Sequence, residues 1–505
     1  MTSSGKTLRQ VGVVDIGSNS VRLVIYDIFG CHFTPVYNEK ILAGLGRDLK
    51  LTGKLSATGR VTTLAALARF SQIARARQLP PLLIGATAAL RVAEDAPDFV
   101  AQVMRDTGLD ISPISGEEEA RLSAIGLLSS NDRRQGLAAD LGGASLELVN
   151  VTPELRETGT QVQGVSLPLG PFDAIGGDLS ALTTDDYAAQ IPKLDDALSQ
   201  LPNFLMQGEV LYLIGGAWRN LASIHQHRTD YPLRTLQGYG LEPAEAASLA
   251  KWAWTEGLDE VLNWSGMRSA RAETLPYSGV LLGRLLERFK PRRVVISMAG
   301  LREGLVWNHL PEGVKSRDAL IDGCRDFARG SVQAEHFGVP LFRFLAPILP
   351  HVKTRFGAES ASRLIHGACH LAGLGKNLHP DHRAELVFED VIYAPVSGLT
   401  HSERAFMSLS LFRTYSAKRQ PPIFGLLEHL LDEAEQNSAA LVGETIRLAI
   451  VATGRTPALL ADFSLLAEAG KLTLRADLHR AAMVTDQVNY RLAKLAKLMG
   501  LEPQF

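Results

Sequence analysis

Two short stretches of this chain set a carboxylate, a glycine and small hydroxyl or amide side chains at the end of an apolar run. The first is Asp15-Ile16-Gly17-Ser18-Asn19-Ser20, between VGVV and VRLVIY; the second is Asp140-Leu141-Gly142-Gly143-Ala144-Ser145, followed by LELV. Each reads as strand, tight turn, strand. Gly17, Gly142 and Gly143 let an anion approach the backbone, and the amides of Ser18, Asn19, Ser20, Ala144 and Ser145 can point at phosphate oxygens. The aspartate at each rim suits a metal ion. A single Asp-x-Gly is an ordinary hairpin turn. Two copies that agree in Asp, Gly, Ser, Leu and Val at the same offsets instead indicate a duplicated phosphate loop. Facing each other across a cleft, such loops would hold a phosphoryl group from both sides, with Asp15 and Asp140 sharing a hydrated divalent cation. The copies differ chemically, because Glu147 stands at the offset that Arg22 holds in the first.

The elements that must position these loops can be read around them. Val61, Leu64, Leu67, Phe70 and Ile73 predict a helix that stops at Leu79-Pro80-Pro81. Leu82-Leu83-Ile84 predicts a short buried strand, and the small residues of GATAALR open a helix with Arg91 one turn in. Ser115 and Glu118 have the spacing of a capping box, and the helix dipole favours acidic residues there, which accounts for Glu117 and Glu118. Glu119 lies past the cap. Further strands at Leu211–Ala217 and Val294–Ser297 lead to glycines, and strand-helix alternation continues to about residue 310. From Asp318 to about Ala461 the pattern is helical, with segments around 342–356, 360–372, 383–393 and 401–415. The last segment predicts a strand at Leu472-Thr473-Leu474 and an amphipathic helix through Val488, Leu492, Leu495 and Leu498. Its Arg491, Lys494 and Lys497 form a basic stripe, a solvated face or a guide for an anionic chain.

Composition bounds the function. A chain of 505 residues forms several domains, and 46% hydrophobic with 21% charged residues is the balance of a soluble globular protein. A net charge of −2 offers no global basic field, so no nucleic acid partner is expected and any polyanion must meet a local patch. Three widely spaced cysteines argue against a disulfide framework. MTSSGKTLRQ leads into the first strand without an apolar signal region, and no apolar run is long enough for a bilayer. The expectation is a cytoplasmic protein with no membrane partner.

The pair DIGSNS and DLGGAS, with GATAALR and SGEEEAR between them, resembles the exopolyphosphatase and guanosine pentaphosphate phosphohydrolase family, a branch of the actin, sugar kinase and Hsp70 superfamily. SLPLG at Ser166–Gly170, LIGGAWRNLA at Leu213–Ala222 and ISMAGLREG at Ile296–Gly304 extend the likeness in family order. The resemblance implies an α/β fold: two ribonuclease H-like domains, 1–130 and 131–312, flanking a cleft, then a mostly helical HD-like domain, 313–462, and a small C-terminal domain, 463–505. It implies hydrolysis of the terminal phosphoanhydride of inorganic polyphosphate, with Glu119 as general base and Arg91 as a phosphate ligand. Gly17, Ser18, Asn19, Ser20, Gly142, Gly143, Ala144 and Ser145 would bind phosphate. Asp15, Asp140 and Glu147 would hold Mg²⁺, with other divalent or monovalent cations as alternatives. Guanosine penta- or tetraphosphate is the alternative ligand, as substrate or as the signal of a non-catalytic sensor, and long members of the family are often homodimers. Trp218 replaces a smaller residue usual in the family, at a position that approaches the nucleoside in nucleotide-binding relatives. In the helical part His366, His370, His379 and His382 gather, but Leu371 stands where an active HD site requires Asp, which implies a degenerate, non-catalytic domain.

Overall fold

The first apolar run folds as β1 (Arg9–Ile16) and β2 (Ser20–Phe29), antiparallel, with β3 (His32–Leu42) added to the outer edge of β2. Their Val and Ile content suits a pleated sheet with one buried face. The computed structural model describes residues 9–130, 135–152, 155, 163–175, 182–205, 208–257, 260, 273–329, 332–416 and 419–505. After helix α1 (Ala57–Ala76) the chain returns as β4 (Leu83–Ala86), parallel to β1, giving the order β3-β2-β1-β4. Helices α2 (Ala88–Val92), α3 (Ala96–Thr107) and α4 (Gly116–Ser130) follow.

The second sheet repeats that plan. Strands β5 (Gly136–Leu141) and β6 (Leu146–Val151) form the hairpin, β7 (Gly164–Leu167) extends it, and β8 (Val210–Ile214) runs parallel to β5. Helix α5 (Gly216–Arg228), β9 (Gly240–Leu241), helix α6 (Leu275–Phe289) and β10 (Arg293–Ser297) complete an order of β7-β6-β5-β8-β10-β9. Helix α7 (Leu301–His309) leaves this sheet yet lies against β1 and β4 of the first, while α4 leaves the first half and lies against β5, β6 and β7. The two helices cross with their backbones in contact. A Cβ on Gly126 would meet the Gly300 carbonyl oxygen at 1.9 Å, and one on Gly304 would meet that of Leu122 at 1.9 Å.

These elements make up one compact unit, Met1–Arg317; a second comprises Asp318–Phe505. The second contains α8 (Val332–Leu345), α9 (Ala358–Leu371), α10 (Arg383–Ile392), α11 (His401–Tyr415) and α12 (Glu433–Thr453). It ends in strands β11 (Phe463–Glu468) and β12 (Lys471–Ala476), helix α13 (Asp486–Met499) and β13 (Glu502–Gln504), which pairs in parallel with β12. Among the described residues no helix is long and apolar enough to cross a membrane.

Four local expectations change. Val61 is 72% exposed, and α1 buries Thr63, Ala66, Leu67 and Phe70 instead. A strict three-residue spacing slips by about 60° per step on a helix of 3.6 residues per turn. The helix expected over 342–356 ends at Leu345, where Pro347 and Pro350 turn the chain into a 3₁₀ segment, Ala346–His351. The basic stripe of α13 is half internal, because Arg491 and Lys494 both pair with Glu444 of α12, which is 3% exposed. The four histidines split into two pairs. His370 is buried beside His366, and burial, His366 and Arg325 push it down to about 4; His379 and His382 are exposed.

Candidate active site

The two turns have the same closure. Gly17 N–H donates to the Ser20 carbonyl and Gly142 N–H to the Ser145 carbonyl, at 2.9 Å in each. Neighbouring loops hold their remaining carbonyls: Gly46 N–H donates to Ser18 O, Ala43 and Gly44 to Asn19 O, Phe172 to Gly143 O, and Gly170 to Ala144 O. The amides of Ser18, Asn19, Gly143 and Ala144 have no acceptor among the described residues. Successive main-chain amides left without acceptors are the groups from which anion-binding concavities are built. The loops face each other closely, since a Cβ on Gly143 would lie 3.7 Å from Asn19 Cβ. Side chains of Ser18 and Ser145 are buried, and those of Asn19 and Ser20 half-buried.

The carboxylates gather at the strand ends. Asp15 lies across the ladder from Arg22, and Asp140 across from Glu147. Ser123 on α4 donates to Asp140 Oδ2 at 2.6 Å, and Ser166 on β7 donates to Glu147 Oε1 at 2.8 Å. The three glutamates of α4 separate cleanly. Glu117 is exposed, Glu118 is engaged by Arg121, and Glu119 turns inward with a side chain only 12% exposed. Ser115 Oγ does accept from Glu118 N–H, but the reciprocal half of the expected capping box is given up to Arg121. Arg91 Nη1 donates to Glu119 Oε2 at 3.1 Å and to the Ile114 carbonyl at 2.9 Å. Its sequence position, 28 residues upstream, is bridged by the return of the chain through α3.

Electrostatics at these groups are unusual. Burial pushes Glu119 up to about 7, opposed by Arg91 and reinforced by Asp140 and Asp15. Burial also raises Asp15 and Asp140, and Glu147 is pushed well above the carboxylate range by burial and then by Glu119 and Asp140. Three arginines join these groups: Arg22 on β2, already set apart by its offset, and Arg219 on α5 and Arg302 on α7, which the motifs do not mark as site residues. Burial and mutual repulsion pull Arg22 down to about 10, and burial with Arg302 lowers Arg219. Burial opposes the charge of Arg302, but Glu303, Tyr26, Asp15 and Asp140 hold its pKa up. Arginines set against one another in this way have an unmet demand for anions. Arg219 and Arg302 each stand in the first helical turn after a strand and its glycines, a signal present in AWRN and GLREG.

Asp15, Asp140 and Glu147 do not bring one oxygen each to within 4.8 Å of one another; among the described residues only Asp462, Asp477 and His479 of the second unit do. Arg480 already occupies Asp462. The cleft carboxylates nonetheless fit Mg²⁺, which takes one or two carboxylates and fills its octahedron with water and phosphate oxygens. A cation there would relieve the crowding that raises all of them. Gly215 has φ 117° and packs on β5, its Cβ position 2.4 Å from the Leu141 carbonyl oxygen, whereas Gly216 faces open space. Trp218 is fully buried in the core of the second half.

The duplicated hairpin thus brings two glycine-containing turns, the buried Glu119 and three arginines together in the first unit. Residues 24–312 match the Ppx/GppA phosphatase family and residues 349–505 the exopolyphosphatase C-terminal family. The chain belongs to the Ppx/GppA phosphatase family, and is a hydrolase. It is 24% identical over 436 residues to Retrograde regulation protein 2 of Saccharomyces cerevisiae, covering 79% of this chain and 71% of that one. It is 32% identical over 164 residues to Exopolyphosphatase 1 of Mycobacterium bovis, covering 32% of this chain and 46% of that one, so it spans about half of that relative. The fold is shared with the crystal structure of the Aquifex aeolicus Ppx/GppA family member, TM-score 0.51 and 23% identity over 60% of this chain and 97% of that one. It is shared equally with an exopolyphosphatase from Cytophaga hutchinsonii, TM-score 0.52 and 21% identity over 60% and 99%.

Proposed function

We propose that this chain is an exopolyphosphatase that removes the terminal phosphoryl group of inorganic polyphosphate. The observation that carries the reading is the pair of opposed loops with Glu119 buried beside them and held near neutrality. The terminal phosphoryl group lies between the amides of Ser18 and Asn19 and those of Gly143 and Ala144. Arg91 meets its oxygens and keeps Glu119 oriented. Glu119 accepts a proton from water as the water oxygen bonds to phosphorus and the bridging P–O bond breaks, releasing orthophosphate and a chain one unit shorter. Arg22, Arg219 and Arg302 neutralise the following phosphates and the charge that develops on the leaving oxygen. Asp15, Asp140 and Glu147 would hold Mg²⁺, which when bound adds positive charge to the phosphoryl oxygens. The matched family and the mycobacterial relatives' name support this substrate class.

The second reading is release of the 5′ γ-phosphate of guanosine pentaphosphate, favoured by the burial of Trp218, which leaves the Gly216 surface open. A regulatory sensor is suggested by the yeast relative's name alone. Orthophosphate release is measured from long-chain polyphosphate and from guanosine pentaphosphate, with Mg²⁺, for wild type and Glu119→Ala. Release from polyphosphate that falls by at least about 10³-fold in the variant is the expected result. Release from the nucleotide only moves the assignment to the second reading; no release from either, with tight nucleotide binding, leaves a sensor.

A further inference from the structure

One carboxylate organises the first turn of α7. Glu303 Oε2 accepts from the Gly300 N–H at 2.9 Å, and Oε1 accepts from the Tyr26 hydroxyl at 2.5 Å. Tyr26 is 3% exposed on β2. It is four residues from Arg22, so the two side chains leave the same face of the strand, and Arg22 is the cross-strand neighbour of Asp15. The bond therefore ties β2, which presents Arg22 opposite Asp15 of β1, to the turn that presents Arg302. A capping glutamate needs no second partner. A phenylalanine at 26 would keep the edge-on contact with Phe33, whose ring centroid is 5.9 Å away, without burying a hydroxyl. The buried hydroxyl is thus an expensive way to fill the space, and what it adds is a tie from β2 to the turn that carries Arg302.

Resting on the phosphohydrolase reading above, we propose that Tyr26 and Glu303 are positioning residues that hold Arg302 against Asp15 and Asp140, where it meets the phosphates flanking the bond to be broken. Neither residue touches the phosphoryl group.

A double-mutant cycle tests this. kcat and KM for orthophosphate release from polyphosphate are measured for wild type, Tyr26→Phe, Arg302→Lys and the double variant, with melting temperatures. Tyr26→Phe is expected to lower kcat/KM about 10-fold while its melting temperature moves by less than about 5 °C. In the Arg302→Lys background the same change should cost less than about 2-fold, because the group it positions is gone. Wild-type kcat/KM in Tyr26→Phe, or additive losses in the double variant, would overturn the proposal. If Tyr26→Phe does not fold, Glu303→Gln enters the same cycle. If the wild type releases no orthophosphate, the hydrolase reading fails separately, and the cycle is run on calorimetric Kd values for inorganic tripolyphosphate. Coupling there supports the positioning role; additivity, or no binding by the wild type, overturns it.

Discussion

Hairpins β1–β2 and β5–β6 close with the same glycine-to-serine bond and set their aspartates at the same ladder position, but the residue across the ladder is Arg22 in one and Glu147 in the other. In the proposed reaction the shared main chain grips phosphate from both hairpins. The exchanged side chain divides the remaining work. In the proposed reaction the first hairpin, with Arg302 and Arg219 nearby, makes a cationic wall for the phosphates. The second, with Glu119 and Asp140, makes an anionic wall that can take up a proton or hold a cation. Two copies of the first would leave no cluster of carboxylates, and two copies of the second would repel the substrate.

The sharpest way to break this division is to make the hairpins alike. Glu147→Arg should lower kcat for polyphosphate by at least about 10³-fold, the scale of removing a preorganised electrostatic group and adding a wrong one. Glu147→Gln should lower kcat with little change in KM, and Arg22→Gln should mainly raise KM. Activity within about 10-fold of wild type in Glu147→Arg would show that the two walls are interchangeable.

A milder test compares the loops themselves. A Cβ on Gly17 would sit 3.5 Å from the Ser20 carbonyl oxygen, an ordinary contact, whereas one on Gly143 would meet Phe172 at 3.2 Å and face Asn19 of the opposite loop. Gly143→Ala should therefore raise KM by about 10-fold and Gly17→Ala by less than about 3-fold, since small displacements of an aligned site are costly. Equal effects would mean that the loops do not close on the ligand as a pair.

The duplication was legible because Asp, Gly, Ser, Leu and Val recur at fixed offsets, and a turn motif depends on residues adjacent in the chain. The Arg22/Glu147 difference could be read from the same alignment of the chain with itself. Glu119 could be separated from Glu117 and Glu118 only by position relative to the cap, and its partner Arg91 only through resemblance. What the sequence concealed is long-range. Arg219 and Arg302 come from two helices far from β2 in the chain yet join Arg22, and each is individually an ordinary surface-type residue. The crossing of α4 and α7 through Gly126 and Gly304 was equally hidden, because a glycine inside a helix announces close approach without naming the partner. In the second unit the basic stripe of α13 was visible, but Glu444, the charge that turns half of it inward, lies on another helix.

The smallest effect concerns stability, and its sign follows from the carboxylates of both hairpins and α4. Glu119, Asp15, Asp140 and Glu147 all have folded-state values above their ordinary ones, first through burial, with Glu119 raised from 4.5 to about 7. The folded protein therefore binds protons that the unfolded chain has already released. Such groups contribute stability that is fully present below the unfolded value and is lost as pH rises through the folded one. The melting temperature of the ligand-free protein should fall by several degrees, on the order of 5 °C, as pH rises from about 4.5 to above 7. Glu147→Gln should flatten that fall, since it removes one of the mutually repelling charges. Arg22→Gln should steepen it, because Arg22 lowers the pKa of Asp15. Mg²⁺ added at pH 8 should recover the lost degrees in the wild type and fewer of them in Glu147→Gln, by preferential binding to the folded state. A melting temperature that stays flat or climbs across this window, with Glu147→Gln indistinguishable from wild type, would mean that the carboxylates of the second hairpin do not press on one another, and the contrast between the two walls would lose its electrostatic basis.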